Sequence, residues 1–552
     1  MLKLNGSIAQ ENLSANRLAC GGSRMLISAA CAAALAAGAS AYAGPTGIGL
    51  SALLTANPSL TGAGVNVAQV EASLNQNPPP YTYEVNPADV YQPQSLFTYI
   101  DNTNTSSSTY SSTNGSIHAN TVGGLFYGGA PSTGSAAIGV APGVASVANY
   151  EASGFAGYEV GLGENSSTQM ITHTGQSKTV NNAAVINQSF NIRIPTGYTT
   201  SQADQYMQNI DWGYDQYVNT DKTVIVSAVG NYSSVSGTPD MINPPATAYN
   251  SIAVGSYNGG TEVGPTFDGR SKPDIVAPAS ESSYAAPLVS GAAALMIQAG
   301  NQADGYTAAS AGGWTQSTYK SNAVLPQTVK ALLMNGAVQP TGWTHTATAP
   351  LDPKYGAGVL NVDNAYNILT AGRAAMTVSN TSTTVATTPT ITQASGWDVE
   401  SLTNNGSLAV TTATTYVNHY AFTAMSAASG LSDAFKATLV WNAQTSTSVT
   451  PVNTTYTEKQ TPIFLELFNA KTKSLVSESI STVDNVQQID ALLTPGSNYD
   501  LQVLTSGGNA VNSDTYALAF STTAVATPEP AALSLLVAGG LLLALRSRKR
   551  TA

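Results

Sequence analysis

Near residue 375 the periodicity of the chain changes, and a single layered fold cannot satisfy both halves. From 44 to about 372, short apolar runs alternate with helical patterns. Val65–Val70, Ala183–Asn187, Val224–Val229 and Ile252–Val254 are strand candidates. Such runs, separated by helices, predict a parallel α/β sheet buried on both faces. Between them, Ser201–Tyr217 sets Met207, Ile210, Tyr214 and Tyr217 on one helical face, the pattern of a packing helix. Residues 101–116 are polar and predict a surface loop. From Ala375 to about Thr523, Thr and Val become dense and helical periodicity disappears. Tyr416–Thr423, Ala437–Trp441, Ile463–Phe468 and Tyr499–Leu504 read as strands. Short strands over that length predict an antiparallel β-sandwich or jelly roll at 376–523.

The two ends read as addresses. Met25–Ala39 is a mostly apolar run after Arg24, followed by the small residues Ser40-Ala41-Tyr42-Ala43. This is the layout of a secretory signal peptide with an N-terminal extension, over 1–43. Both cysteines, Cys20 and Cys31, lie in it, so the mature chain would have no disulfide and no thiol chemistry. At the other end, Thr527-Pro528-Glu529-Pro530 precedes an apolar stretch, Ala531–Leu545, and the basic Arg546-Ser547-Arg548-Lys549-Arg550. Over 526–552 the order of parts resembles the PEP-CTERM sorting signal of Gram-negative envelope proteins. The resemblance implies export to the cell envelope or beyond, transient membrane insertion of the tail, and an exosortase-type sorting enzyme as a partner. Only 9% of residues are charged, which suits a loop-rich exported protein. Residues 1–43 carry three Lys/Arg and one Glu, and 528–552 carry four and one. That leaves 13 basic against 29 acidic residues between them, a charge of −16. So acidic a body argues against nucleic acid as a partner.

The segment Ser282-Ser283-Tyr284-Ala285-Ala286-Pro287 opens a smooth helical run through Gln298. A serine at a helix N-terminus offers a hydroxyl beside backbone N–H groups, and the helix dipole there favours a developing oxyanion. Such a hydroxyl needs a base. Of four histidines, His118 sits among small residues, Gly115 to Gly124, that allow close packing. His173, His345 and His419 lie among polar residues and are expected on the surface. The base in turn needs an acid. Glu71 ends the strand Val65–Val70, at the carboxyl edge where open α/β sheets place functional groups.

The order acid, histidine, serine, together with the surrounding blocks, resembles the subtilisin-like serine peptidases. Thr61–Glu71 looks like the strand entering that family's catalytic aspartate. His118–Gly124 resembles its His-Gly-Thr-His-Val-Ala-Gly block, and Gly139-Val140-Ala141-Pro142 the sequence that follows. Ser283–Gly291 resembles the nucleophile block. Ser227–Asn231, Lys272–Pro278 and Tyr355–Asn361 resemble three further blocks, so that the likeness spans roughly 55–365. It implies a subtilisin-like peptidase domain at 44–372, a protein or peptide substrate, and serine endopeptidase activity. Ser283 would be the nucleophile, His118 the base, Glu71 the orienting acid and Asn231 an oxyanion donor. Ser189, Phe190 and Asn191 would be the substrate-binding segment, their alternative role being an ordinary core strand. No cofactor is implied; the family often holds structural calcium, but no spacing here identifies a site.

Three departures bear on activity. The family has Asp where this chain has Glu71, so the acid is one methylene longer. Glu281 and Ser282 replace the Gly and Thr before the nucleophile, and Ala119 replaces a glycine beside the base. A catalytically inactive surface scaffold is therefore the competing reading. In a third, the C-terminal sandwich is the active party and binds glycan or matrix while the first domain hydrolyses its neighbours. A Ser-Glu-Asp relative of the fold is disfavoured by Asn231, where it would carry Asp.

Overall fold

The computed structural model describes residues 45–526 apart from 74–81, 131–138, 175–181, 196, 233–240, 304–321, 375, 380–383, 403–416, 426–430, 450–453, 460 and 506–514. The leader and the Pro-Glu-Pro tail lie outside the described residues.

The first half is built on one large sheet. Its strands are β1 (Asn66–Glu71), β2 (Phe97–Ile100), β3 (Ser106–Ser107) and β4 (Ser146–Glu151), with β5 (Leu162–Glu164) and β6 (Ile171–His173) forming a hairpin outside it. It continues with β7 (Val185–Gln188), β8 (Val224–Ala228), β9 (Ile252–Ser256) and β10 (Ile275–Ala277). The order is β10-β9-β8-β7-β1-β4-β2-β3. Every pairing is parallel except β2–β3, where Ser106 and Ser107 of the expected surface loop fold back on Ile100 and Tyr99. β1 lies near the centre, paired with β4 and β7.

Alternation along β1 assigns its side chains to two layers. Ala68 and Val70 face a core completed by Tyr206, Ile210, Tyr214 and Tyr217 of the helix Thr200–Asp221. Val67 faces the opposite core, shared with the helices Ile117–Tyr127 and Ser282–Ala303. Helices thus cover both faces, as the uninterrupted apolar strands require.

The second half is antiparallel. Its strands are β11 (Thr377–Ser379), β12 (Ser395–Ser401), β13 (Val417–Thr423), β14 (Leu431–Trp441), β15 (Gln444–Val449), β16 (Thr454–Lys459), β17 (Ile463–Asn469), β18 (Leu475–Ser479), β19 (Val486–Leu493), β20 (Asn498–Thr505) and β21 (Thr515–Ala526). Sheets β11-β13-β20-β17-β18 and β12-β21-β14-β19 enclose Phe422, Phe435, Trp441, Leu465, Leu501 and Leu518. The fold is an α/β layer followed by a β-rich region.

The two regions are closely joined. The helix Pro326–Gly336 is buried along its whole length. Its Asn335 bridges to Thr438 (3.2 Å) on β14 and accepts from Ser521 (3.0 Å) on β21. Asn250 and Ala443 exchange two hydrogen bonds, 2.8 and 3.0 Å. β16 also pairs with β6. The surface expectation for three histidines fails for a related reason. His173 and His419 are buried and His345 is half-buried. Polar neighbours in sequence did not signal exposure, because each ring found a partner in space. His173 Nε2 donates to the Asn209 carbonyl at 2.7 Å, and His419 Nδ1 lies 2.8 Å from Asp500.

Candidate functional site

Glu71 is the last residue of β1 and is fully buried. A carboxyl group in such a place needs hydrogen-bond partners on both oxygens. One oxygen, Oε2, lies 2.8 Å from His118 Nδ1. The other, Oε1, accepts from Gln69 Nε2 at 2.7 Å. The extra methylene of Glu therefore does not prevent contact with the imidazole.

His118 is the second residue of the helix Ile117–Tyr127, whose N-cap Ser116 accepts from Ala119 N at 3.2 Å. Capping fixes the first turn, and with it the origin of the histidine side chain. Burial alone would lower the His118 pKa. The adjoining Glu71, by charge and hydrogen bond, and the charge of Glu281 outweigh it and hold the imidazole above its ordinary value.

Ser283 is the second residue of the helix Ser282–Ala303. The helix lies close to the base: Tyr284, the next residue, has its ring centroid 5.7 Å from that of His118. Gly291 lets the helix approach further, since a Cβ there would collide with Val140. The Ser283 hydroxyl donates to the Ser189 carbonyl at 3.3 Å, and Ser189 Oγ donates to the Ser283 carbonyl at 2.8 Å.

Asn231 follows Gly230, whose φ of 110° is a left-handed conformation that suits glycine. Its Oδ1 accepts from the Ser282 N–H (2.8 Å) and hydroxyl (3.0 Å). Because the Ser282 N–H can only donate, the amide atom that meets Ser282 is the Asn231 oxygen, and the NH2 is the other arm of the amide. Ser282 Oγ also accepts from Gly230 N at 3.1 Å, which ties the asparagine turn to the serine helix. Of the expected substrate segment, Ser189 touches Ser283 and Phe190 is buried in the core. Asn191 donates from Nδ2 to the Ala228 carbonyl at 3.0 Å.

Sequence reading missed Gln69, Tyr127 and the positioning part of Ser282. The signal for Gln69 was available: a polar residue two before Glu71 in an otherwise apolar strand shares its face. Among the described residues no group of three or more His, Cys, Asp or Glu is arranged to hold a metal ion.

The structure thus sets a carboxylate–imidazole pair at the end of a central parallel strand, where open α/β sheets gather functional groups, with a serine opening a nearby helix. The sequence profile of the subtilase family matches residues 46–358, more than half of the chain. The chain belongs to the subtilase family, whose members are serine-type peptidases. No curated protein matches it. Among solved structures, a lanthipeptide protease is 13% identical, with the alignment covering 58% of this chain and 92% of that one. Its TM-score of 0.33 is too low to bear on fold or substrate.

Proposed function

We propose that this subtilase is an exported serine endopeptidase acting through Ser283, His118 and Glu71. Ser283 Oγ attacks the peptide carbonyl while His118 Nε2 takes its proton. The carbonyl π-electrons move onto oxygen, and the Asn231 NH2 with the Ser283 backbone N–H receives the oxyanion. His118 then returns the proton to the departing amine, leaving an acyl-enzyme. Water then attacks the ester carbonyl as His118 takes its proton, and His118 passes that proton to the departing Ser283 Oγ, releasing the carboxylic acid and restoring the enzyme. Glu71 holds the Nδ1–H tautomer and stabilises the imidazolium. Ser189, Phe190 and Asn191 form the segment against which the substrate lies. The carrying observation is the 2.8 Å contact between His118 Nδ1 and Glu71 Oε2.

The peptidase domain occupies 44–372 and the β-sandwich 376–523. The leader at 1–43 directs export, and the tail at 526–552 is read by an exosortase-type enzyme during transient membrane insertion. Among the described residues no helix is long and apolar enough to cross a membrane.

The test is labelling with a fluorophosphonate probe and hydrolysis of an unstructured protein substrate. Both should occur with the native chain and vanish in Ser283→Ala and His118→Ala. One observation favours the inactive-scaffold reading: the Ser283 hydroxyl donates to Ser189. Folded protein that neither labels nor hydrolyses would establish it.

A further inference from the structure

We propose that Gln69, backed by Tyr127, is a positioning residue that locks the long carboxylate of Glu71 against His118; this rests on the triad reading above. Gln69 and Glu71 are two apart on β1, so their side chains leave the same face of the strand. Gln69 is fully buried and every polar atom of its amide is used. The Ala119 carbonyl can only accept, and it lies 2.9 Å from Nε2, which fixes the amide orientation. The second N–H of that nitrogen donates to Glu71 Oε1 at 2.7 Å. The Gln69 oxygen then faces Tyr127, whose hydroxyl donates to it at 2.5 Å. Burial, with the charge of Glu71, pushes the Tyr127 phenol well above its ordinary range, so the hydroxyl stays a donor.

This chain of bonds answers a specific difficulty. Glu has one more rotatable bond than Asp, so a Glu acid has more ways to lose its aim at the histidine. Holding Oε1 as well as Oε2 removes that freedom. Because Ala119 follows His118 in the helix, the same amide also ties the acid's strand to the base's backbone. Gly123 keeps the space open. A Cβ there would lie 2.8 Å from the Tyr127 hydroxyl and 3.0 Å from Gln69 Oε1. The subtilase block quoted above has alanine at this place, so the longer acid, its amide clamp and the glycine are mutually consistent.

The experiment compares Gln69→Leu in the native chain and in a Glu71→Ala background. In the native chain, kcat on a quenched peptide should fall about 10- to 100-fold, the size of a hydrogen bond to a charged group, with KM within about twofold. Fluorophosphonate labelling should slow likewise in the native chain, whereas in the Glu71→Ala background Gln69→Leu should change that labelling rate less than about twofold. Equal losses in the two backgrounds, or no loss in the native chain, would overturn the proposal. If Gln69→Leu fails to fold, Tyr127→Phe serves: it removes only the hydroxyl and should show a smaller loss with the same dependence on Glu71. Full activity in His118→Ala or Ser283→Ala would instead overturn the triad. A silent Gln69→Leu beside a damaging Glu71→Ala would overturn only the clamp.

Discussion

Shortening Glu71 to Asp separates two accounts of the acid. If Asp were simply the better residue, Glu71→Asp would raise the rate. The structure predicts the reverse. The carboxylate would retract by one carbon–carbon bond, about 1.5 Å. The present 2.8 Å contact with His118 Nδ1 would open to about 4.3 Å, beyond hydrogen-bond range. Gln69, held at the other end by Ala119 and Tyr127, would not follow it. In the proposed mechanism the charge on His118 develops as it takes the serine proton, so the lost attraction falls on kcat rather than KM. At an effective dielectric constant of about 20, the attraction drops from about 6 to about 4 kcal/mol. A difference of about 2 kcal/mol corresponds to about a 30-fold lower kcat. Initial rates on a quenched peptide, with melting curves to verify folding, provide the measurement. A Glu71→Asp variant as fast as the native enzyme, or faster, would mean that the site is not built around the longer acid.

Other outcomes follow from the same geometry. Glu281 helps hold the His118 pKa up, and the base must be neutral to act. Glu281→Gln should therefore move the acid limb of the kcat/KM profile to lower pH, and an unmoved limb would contradict the charge effect. Gln298, on the serine helix, accepts from the N–H groups of Thr61, Gly62 and Ala63 at 2.9, 2.7 and 3.1 Å. Gln298→Ala strands those donors and should cost about 2–4 kcal/mol in urea unfolding. Asp274 pairs with Lys272 and Lys330 at 2.8 and 2.9 Å, all buried. Asp274→Ala removes the buried carboxylate that both amines share and should destabilise by about 3–5 kcal/mol. Burial, opposed by Asp274, brings Lys330 down to about 7. Between about 7 and its unfolded value near 10.4 the unfolded chain binds more protons, so this group makes stability rise with pH. Lys330→Met should flatten that slope, as read from urea midpoints across the window.

Much of the layout was readable from the residues. The apolar runs at 65–70, 183–187, 224–229 and 252–254 became β1, β7, β8 and β9 with shifts of one or two residues at their ends. The face carrying Met207, Ile210, Tyr214 and Tyr217 is buried as its spacing required. The pairing of β16 with β6, and the burial of the helix Pro326–Gly336 against the second region, left no comparable pattern. They join segments a hundred or more residues apart through backbone edges and side-chain amides, which carry no periodic signal. The histidines show the same limit. A polar neighbourhood in sequence says nothing of the Asn209 carbonyl or the Asp500 carboxylate that comes to meet the ring.

For the site, residue type and chain order dictated which groups were chemically able to act: a hydroxyl opening a helix, an imidazole among small residues, and a carboxylate closing a strand. Whether that carboxylate could reach was a question of ångströms, settled only when β1 and the helix Ile117–Tyr127 packed together. Covalent length set the difficulty and the fold supplied the answer, because Oε1 finds its amide partner through the pleat of one strand and the closeness of another helix. Hydrogen bonds fail over about half an ångström, whereas sequence patterns resolve no more than the face on which a side chain lies.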